Sequence, residues 1–228
     1  MRIAEIYSSK QGEGFLTGTP SVFVRASGCN LRCWFCDTPF ASWEPEGENL
    51  SPDEIVEKVV HCELSHIVIT GGEPMLFDEL VPLTTKLGDL GHHITIETAG
   101  TLHLPVRCDL MSISPKMANS TPTIQQAGDW HQRHERVRHS IATVERLIAE
   151  YEYQLKFVIG NQQDVDEALA YVDRLPQCDR TRVMLMPMGT VLEELRGVES
   201  WLIPLCQAQG VVFCPRRHIE WYGFARGT

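Results

Sequence analysis

The chain has 228 residues, a formal charge of −10, 43% hydrophobic and 22% charged residues. That is enough apolar material to bury a core as one domain, and it excludes global disorder. The acidic balance excludes a general nucleic-acid binder, because phosphate affinity comes from Lys and Arg that release counterions. An anionic substrate would therefore need particular arginines to supply local positive charge.

The first residues, MRIAEIYSSK, lack a signal-peptide core, and no apolar run approaches the roughly 20 residues that span a bilayer. A cytoplasmic protein with no membrane partner is expected. Its eight cysteines then read as thiols and ligands rather than a disulfide framework.

In chain order, apolar and β-branched runs predict strands at Ile3–Tyr7, Ser21–Arg25, His66–Thr70, His93–Glu97, Asp109–Ser114, Tyr153–Ile159, Arg182–Met186 and Val211–Cys214. Between them, Ser51-Pro52-Asp53-Glu54 combines an N-cap serine, a proline at the first helical position and a glutamate placed to close a capping box. A helix follows to about His61. Further helices are predicted at about Asp78–Gly88, Glu135–Glu150, Asp164–Leu175 and Thr190–Gln209. The Thr-, Gln- and Pro-rich stretch from Met117 to Gly128 reads as a surface loop. Alternating strands and helices predict an α/β fold of mostly parallel strands, either doubly wound or a complete or partial barrel.

Cys29, Cys33 and Cys36 place three thiols within eight residues, close enough to wrap one inorganic group from a single loop. Soft thiolates suit an iron–sulfur cluster or zinc. A closed zinc site wants a fourth ligand, for which His61, Cys62 and His66 are available only beyond the predicted helix. A cluster with three protein ligands instead leaves one iron open. The other five cysteines, Cys62, Cys108, Cys178, Cys206 and Cys214, read as small apolar groups. His92, His93, His131, His134 and His139 read as solvated or packing residues.

Cys29-x3-Cys33-x2-Cys36, with Phe35 before the third cysteine, resembles the radical S-adenosylmethionine (SAM) superfamily signature. Thr70-Gly71-Gly72-Glu73-Pro74, after a predicted strand, resembles that superfamily's SAM-binding turn, where glycines let the backbone approach the ligand. The resemblance implies a partial or modified TIM-type barrel, a 4Fe-4S cluster on Cys29, Cys33 and Cys36, and SAM chelated to the open iron. It implies one domain over 1–228 with a cluster loop at 28–49.

Within the superfamily, Lys10-Gln11-Gly12-Glu13-Gly14, Gly18-Thr19-Pro20, Arg25, Cys36-Asp37-Thr38, Ser114-Pro115-Lys116 and Pro215-Arg216-Arg217-His218 closely resemble the 7-carboxy-7-deazaguanine synthase family, over the whole chain. The implied reaction is conversion of 6-carboxy-5,6,7,8-tetrahydropterin to 7-carboxy-7-deazaguanine with loss of ammonia, in queuosine or deazapurine biosynthesis. The resemblance places Lys10, Gln11, Gly12, Glu13, Arg25, Thr70 and His218 at the pterin, with Arg25 on its carboxylate. It places Phe35, Cys36, Asp37, Gly72, Glu97, Ser114, Pro115 and Lys116 at SAM, Glu97 at its ribose or alternatively at the substrate, and Thr38 at a magnesium ion. It also implies a homodimer and an electron donor such as a flavodoxin or ferredoxin. Two rival readings stay open: a glycyl-radical-enzyme activase with the same cysteine spacing, and a non-catalytic zinc-stabilised interaction module.

Overall fold

The structure, a computed structural model, describes residues 1–228 and builds them around one nine-stranded sheet. Its strands are β1 (Arg2–Lys10), β2 (Pro20–Ala26), β3 (Glu48–Asn49), β4 (His66–Gly71), β5 (His93–Thr98), β6 (Leu110–Ile113), β7 (Tyr153–Ile159), β8 (Val183–Pro187) and β9 (Val212–Phe213). The order across the sheet is β3-β1-β2-β4-β5-β6-β7-β8-β9. From β2 onward every neighbouring pair is parallel, while β1 runs antiparallel to both β2 and β3. All eight expected strands are present. β3 was hidden in the cluster loop, because two exposed residues carry no alternation to read.

The strands have two distinct faces, as a period of two requires. Val22, Ile67, Ile69, Ile94, Ile96, Ile113, Leu155, Phe157 and Leu185 share one face and pack under the helices in a continuous core. The opposite face carries Thr70, Thr95, Glu97, Ser112, Gln154 and Lys156, and every one except Glu97 is buried. A sheet apolar outside and polar inside encloses a polar cavity, the arrangement of a partial barrel.

The helices over the core are α1 (Pro39–Ser42), α2 (Pro52–Val60), α3 (Leu80–Asp89), α4 (Ile124–Ala127), α5 (Trp130–Arg138), α6 (Ile141–Glu150), α7 (Gln162–Val172), α8 (Leu192–Gln209) and α9 (Arg217–Tyr222). Helix α2 begins as expected: Ser51 Oγ accepts from the Glu54 N–H, and the Glu54 carboxylate accepts from the Ser51 N–H at 2.8 Å. Such a cap contributes about 1 kcal/mol.

The single helix expected over Glu135–Glu150 is two. Arg138, buried against Glu135 and Glu167, ends α5, and the Ser140 hydroxyl donates to the Val137 carbonyl, a local bond that competes with helix continuation. The Met117–Gly128 segment is also more than a surface loop. Ala118–Ser120 forms a 3-10 turn, Ser120 is fully buried, and α4 opens with its own Thr123–Gln126 capping box. No helix is long and apolar enough to cross a membrane.

Candidate active site

One cavity of about 1050 Å³ runs through the polar interior of the sheet. Cys29, Cys33, Cys36, Gly72, Glu97 and Ser114 line it, as do Arg25, Thr70, Lys10, Gln11, Gly12, Glu13 and His218. Phe35, Asp37, Thr38 and Lys116 complete the expected set. Pro115 is the exception: it is buried and does not line the cavity, unlike its neighbours Ser114 and Lys116.

Parallel strands deliver most of these residues at their C-terminal ends, where loops collect chemistry in barrels. Arg25, Thr70, Glu97 and Ser114 all sit at or just past such an end. The segment 11–14 arrives from the other direction. Lys10, at the end of antiparallel β1, pairs with Pro20 at the start of β2. The chain then crosses to the far side of the sheet: the Gly14 N–H meets Cys214 Sγ at 3.2 Å, the Phe15 N–H donates to Gln154 at 2.8 Å, and the Arg217 N–H donates to the Gly12 carbonyl at 2.9 Å. It thereby bridges the first and last strands. A Cβ on Gly12 would lie 2.4 Å from His218 Nδ1, so glycine there makes room for the histidine.

The cysteine loop is held by a histidine that the sequence read as solvated or packing, and which is fully buried. His134 Nδ1 accepts from the Arg32 N–H at 3.0 Å, which leaves Nε2 protonated to donate to Ser120 Oγ at 2.9 Å. Burial lowers His134 to about 4, consistent with this neutral tautomer. The Trp34 indole donates to the Asn119 carbonyl at 2.7 Å, and Trp43 donates to the Cys33 carbonyl at 3.0 Å. These contacts join residues far apart in sequence, so no local pattern reveals them.

The glycine turn has a tighter reason than ligand approach. A Cβ on Gly72 would meet the Gly28 carbonyl oxygen at 2.2 Å and the Ala41 carbonyl oxygen at 2.5 Å, so the turn packs backbone to backbone against the cysteine loop. Glu73 beside it is fully buried; burial pushes its carboxyl up, against the pull of N–H groups of Ala99 and Met75 and the Thr98 hydroxyl. Gly72→Ala should cost about 1–3 kcal/mol by overpacking and lower the iron bound per chain. Gly197→Ala, on α8 with open space around it, should be neutral or stabilising in the same urea titrations.

Charged side chains along the cavity form one network. Lys156 Nζ lies 2.9 Å from Glu13 Oε2 and 3.6 Å from Glu97 Oε1, and is 4% exposed. Glu97 also accepts from Gln11 Nε2 at 3.2 Å and Thr70 Oγ1 at 2.8 Å. These bonds tie it to Gln11 and Thr70, two residues expected at the substrate. Arg216 joins Glu13 to Asp37. Burial alone would raise Glu13, but Lys156 and Arg216 outweigh it and hold the carboxyl well below the usual range. His218 is 4.0 Å from Glu13, and burial, the larger influence, lowers its pKa against that carboxylate's pull. Lys156 and Arg216 were missed as site residues. The signal for Lys156 was present, since Gln154 and Lys156 alternate with Leu155 and Phe157 along β7.

A partial α/β barrel with three thiols and a glycine turn lining its cavity is the class that the radical SAM superfamily model describes, and that model matches residues 23–194. The chain is 43% identical to the 7-carboxy-7-deazaguanine synthase of Rhodopirellula baltica, over 99% of this chain and 88% of that protein. It is also 43% identical to the enzyme of that name from Halobacterium salinarum, covering 99% and 92%. The crystal structure of QueE from Escherichia coli superposes with a TM-score of 0.70 at 25% identity, covering 95% of this chain and 94% of that one. Within the radical SAM superfamily, the chain belongs to the 7-carboxy-7-deazaguanine synthase family.

The superfamily's cofactors are a 4Fe-4S cluster and SAM, and the residues present fit them. Cys29, Cys33 and Cys36 all line the cavity, three soft thiols within eight residues of chain, the donor set that an iron–sulfur cluster takes. Polar groups approach their sulfurs: the Leu31 N–H at 3.4 Å from Cys29, and Ser42 Oγ at 3.1 Å from Cys36. Such bonds tune a cluster's potential. Burial pushes the Cys29 and Cys33 thiols up to about 12, so their ionisation must come with metal binding and release protons.

Proposed function

We propose that the chain converts 6-carboxy-5,6,7,8-tetrahydropterin to 7-carboxy-7-deazaguanine and ammonia as a single domain over 1–228, with its cluster on the loop at 28–49. The observation that carries this reading is the division of one cavity between two chemistries. Its lining holds three thiols and a glycine turn on the one hand, and carboxylates, a lysine and arginines suited to an anionic, hydrogen-bonding heterocycle on the other. Its volume is at the upper end for ligand pockets, enough for a cofactor and a substrate together. When bound, the cluster and SAM supply the electron and the 5'-deoxyadenosyl radical for hydrogen transfer at substrate C6.

The chain's own residues orient the substrate and exclude water. Glu13, kept ionised by Lys156 and Arg216, and Glu97 accept from the N–H groups of the aminopyrimidine. Gln11 and Thr70 fix the Glu97 carboxylate from the other side. His218, against Gly12, closes the site with a neutral imidazole. Phe35, Asp37, Gly72, Ser114 and Lys116 flank SAM. Lys116 Nζ turns back onto Ser114, donating to its hydroxyl at 2.7 Å, so the pair acts as one polar wall. Thr38 offers a hydroxyl oxygen to magnesium, the hard donor that ion prefers.

Arg25 holds the substrate carboxylate. Its Nε donates to Glu5 at 2.7 Å and its Nη2 to the Tyr7 hydroxyl at 2.8 Å, which fixes the guanidinium plane and leaves Nη1 without a protein partner. Arg25→Ala should weaken carboxypterin binding by about 1.5–3 kcal/mol, or one to two orders of magnitude. Arg226, 3.1 Å from Glu5, still neutralises that carboxylate, so the fold should persist. Arg25→Lys should recover only part of the affinity, because the planar fork is lost. Titration calorimetry of both variants measures this, and unchanged affinity in Arg25→Ala would assign the residue to structure.

The function is tested by anaerobic incubation of the reconstituted protein with reductant, SAM, magnesium and the tetrahydropterin, read by product mass. Turnover should fall when magnesium is omitted, and absence of deazaguanine product would end this reading. The same reading includes a homodimer in the cytoplasm and a flavodoxin or ferredoxin as the electron donor.

A further inference from the structure

Arg216 stands at the start of α9, 7% exposed, and every nitrogen of its guanidinium is engaged. Nε lies 3.3 Å from Glu13 Oε1, Nη2 donates to Asp37, and Nη1 donates to the Gly189 carbonyl past the end of β8. Its two carboxylates belong to different segments of the chain. Glu13 sits on the 11–14 segment expected at the substrate, whereas Asp37 directly follows Cys36 on the cluster loop. These two segments share no hydrogen bond or ion pair of their own.

We infer that Arg216 is a positioning residue that couples the 11–14 segment to the cluster loop, so that the pterin and SAM each bind more tightly when the other is present. The inference rests on the proposed function for the identity of the substrate. The physical basis is the rigidity of the guanidinium. A planar fork bonded on three sides cannot follow Glu13 without moving Asp37, whereas a flexible ammonium could keep one partner and release the other. When substrate fixes Glu13, Arg216 fixes the Asp37 end of the loop, and the ordering cost that SAM would otherwise meet is already met. Coupling of this kind is reciprocal, so either ligand can report it.

The experiment measures SAM affinity in the cluster-loaded protein with and without saturating 6-carboxy-tetrahydropterin, for wild type, Arg216→Lys and Arg216→Gln. Iron and sulfide are determined for each sample. In the wild type the pterin should tighten SAM by about 5-fold or more, the usual lower range of such couplings. In Arg216→Gln the ratio should fall below about 2-fold, even if the affinity for each ligand alone also drops. A merely structural arginine would weaken both affinities and leave their ratio unchanged.

Arg216→Lys, which keeps the charge, should lose most of the coupling while retaining cluster content. It serves as the reporting variant if Arg216→Gln does not load iron. A ratio unchanged in Arg216→Lys, or a wild-type ratio of one, overturns the inference while leaving the proposed function standing. A wild type that binds no pterin overturns the proposed function, and this inference with it.

Discussion

Replacing Cys33 with Ala should abolish SAM cleavage, leaving 5'-deoxyadenosine at background while the protein remains folded. The physical reason is the number of ligands. Three thiolates would leave one iron of a 4Fe-4S cluster open, and loss of one removes a covalent anchor from the loop. Deleting a single sulfur from a buried position costs little packing, so the thermal midpoint should barely move. The control is Cys206→Ala. That thiol is equally buried, on α8 in the apolar core, and does not line the cavity. It should keep full iron, sulfide and visible absorption. A normal 4Fe-4S spectrum with full turnover in Cys33→Ala would remove that thiol from the cluster.

The largest effect on stability is expected at Lys156. Lys156→Met leaves Glu13 and Glu97 facing each other across the cavity without the cation between them. Breaking a buried pair by removing one partner costs about 3–5 kcal/mol, and the lower figure applies because Arg216 still faces Glu13. For a chain of this length, about 3 kcal/mol corresponds to roughly 6–12 °C in the unfolding midpoint.

The pH dependence of that variant has a definite sign. In the wild type Lys156 and Arg216 hold Glu13 below its ordinary value of 4.5. Its contribution is therefore complete above that value and is lost only as pH falls through the depressed one. Without Lys156 the loss should begin at higher pH, so acid unfolding should start earlier. Glu13→Gln in the Lys156→Met background should restore part of the stability, a non-additivity expected of residues in contact. Additive effects at neutral and acid pH would show that Lys156 and Glu13 do not interact energetically.

Sequence alone located eight of the nine strands, because each lies in a run of apolar or β-branched residues bounded by turn chemistry, and it located α2 through its capping box. Local patterns of this kind depend only on neighbours along the chain. The three cysteines and the glycine turn were legible for the same reason, each motif lying within a few residues. What sequence could not show was which distant side chains answer one another. Lys156 in β7 and Arg216 before α9 stand 143 and 203 residues from Glu13, and only the closure of the sheet by the 11–14 segment brings them to it.

The same holds for Gly72, which the motif presented as a ligand-facing glycine and the packing presents as a contact with Gly28 and Ala41. It holds also for His134, which the sequence left between a solvated and a packing role and which supports the cysteine loop. Strand and helix formation are decided by periodicity and capping within about ten residues. The polar interior is decided by which strand faces meet across the sheet, and that pairing exists only once the chain has folded.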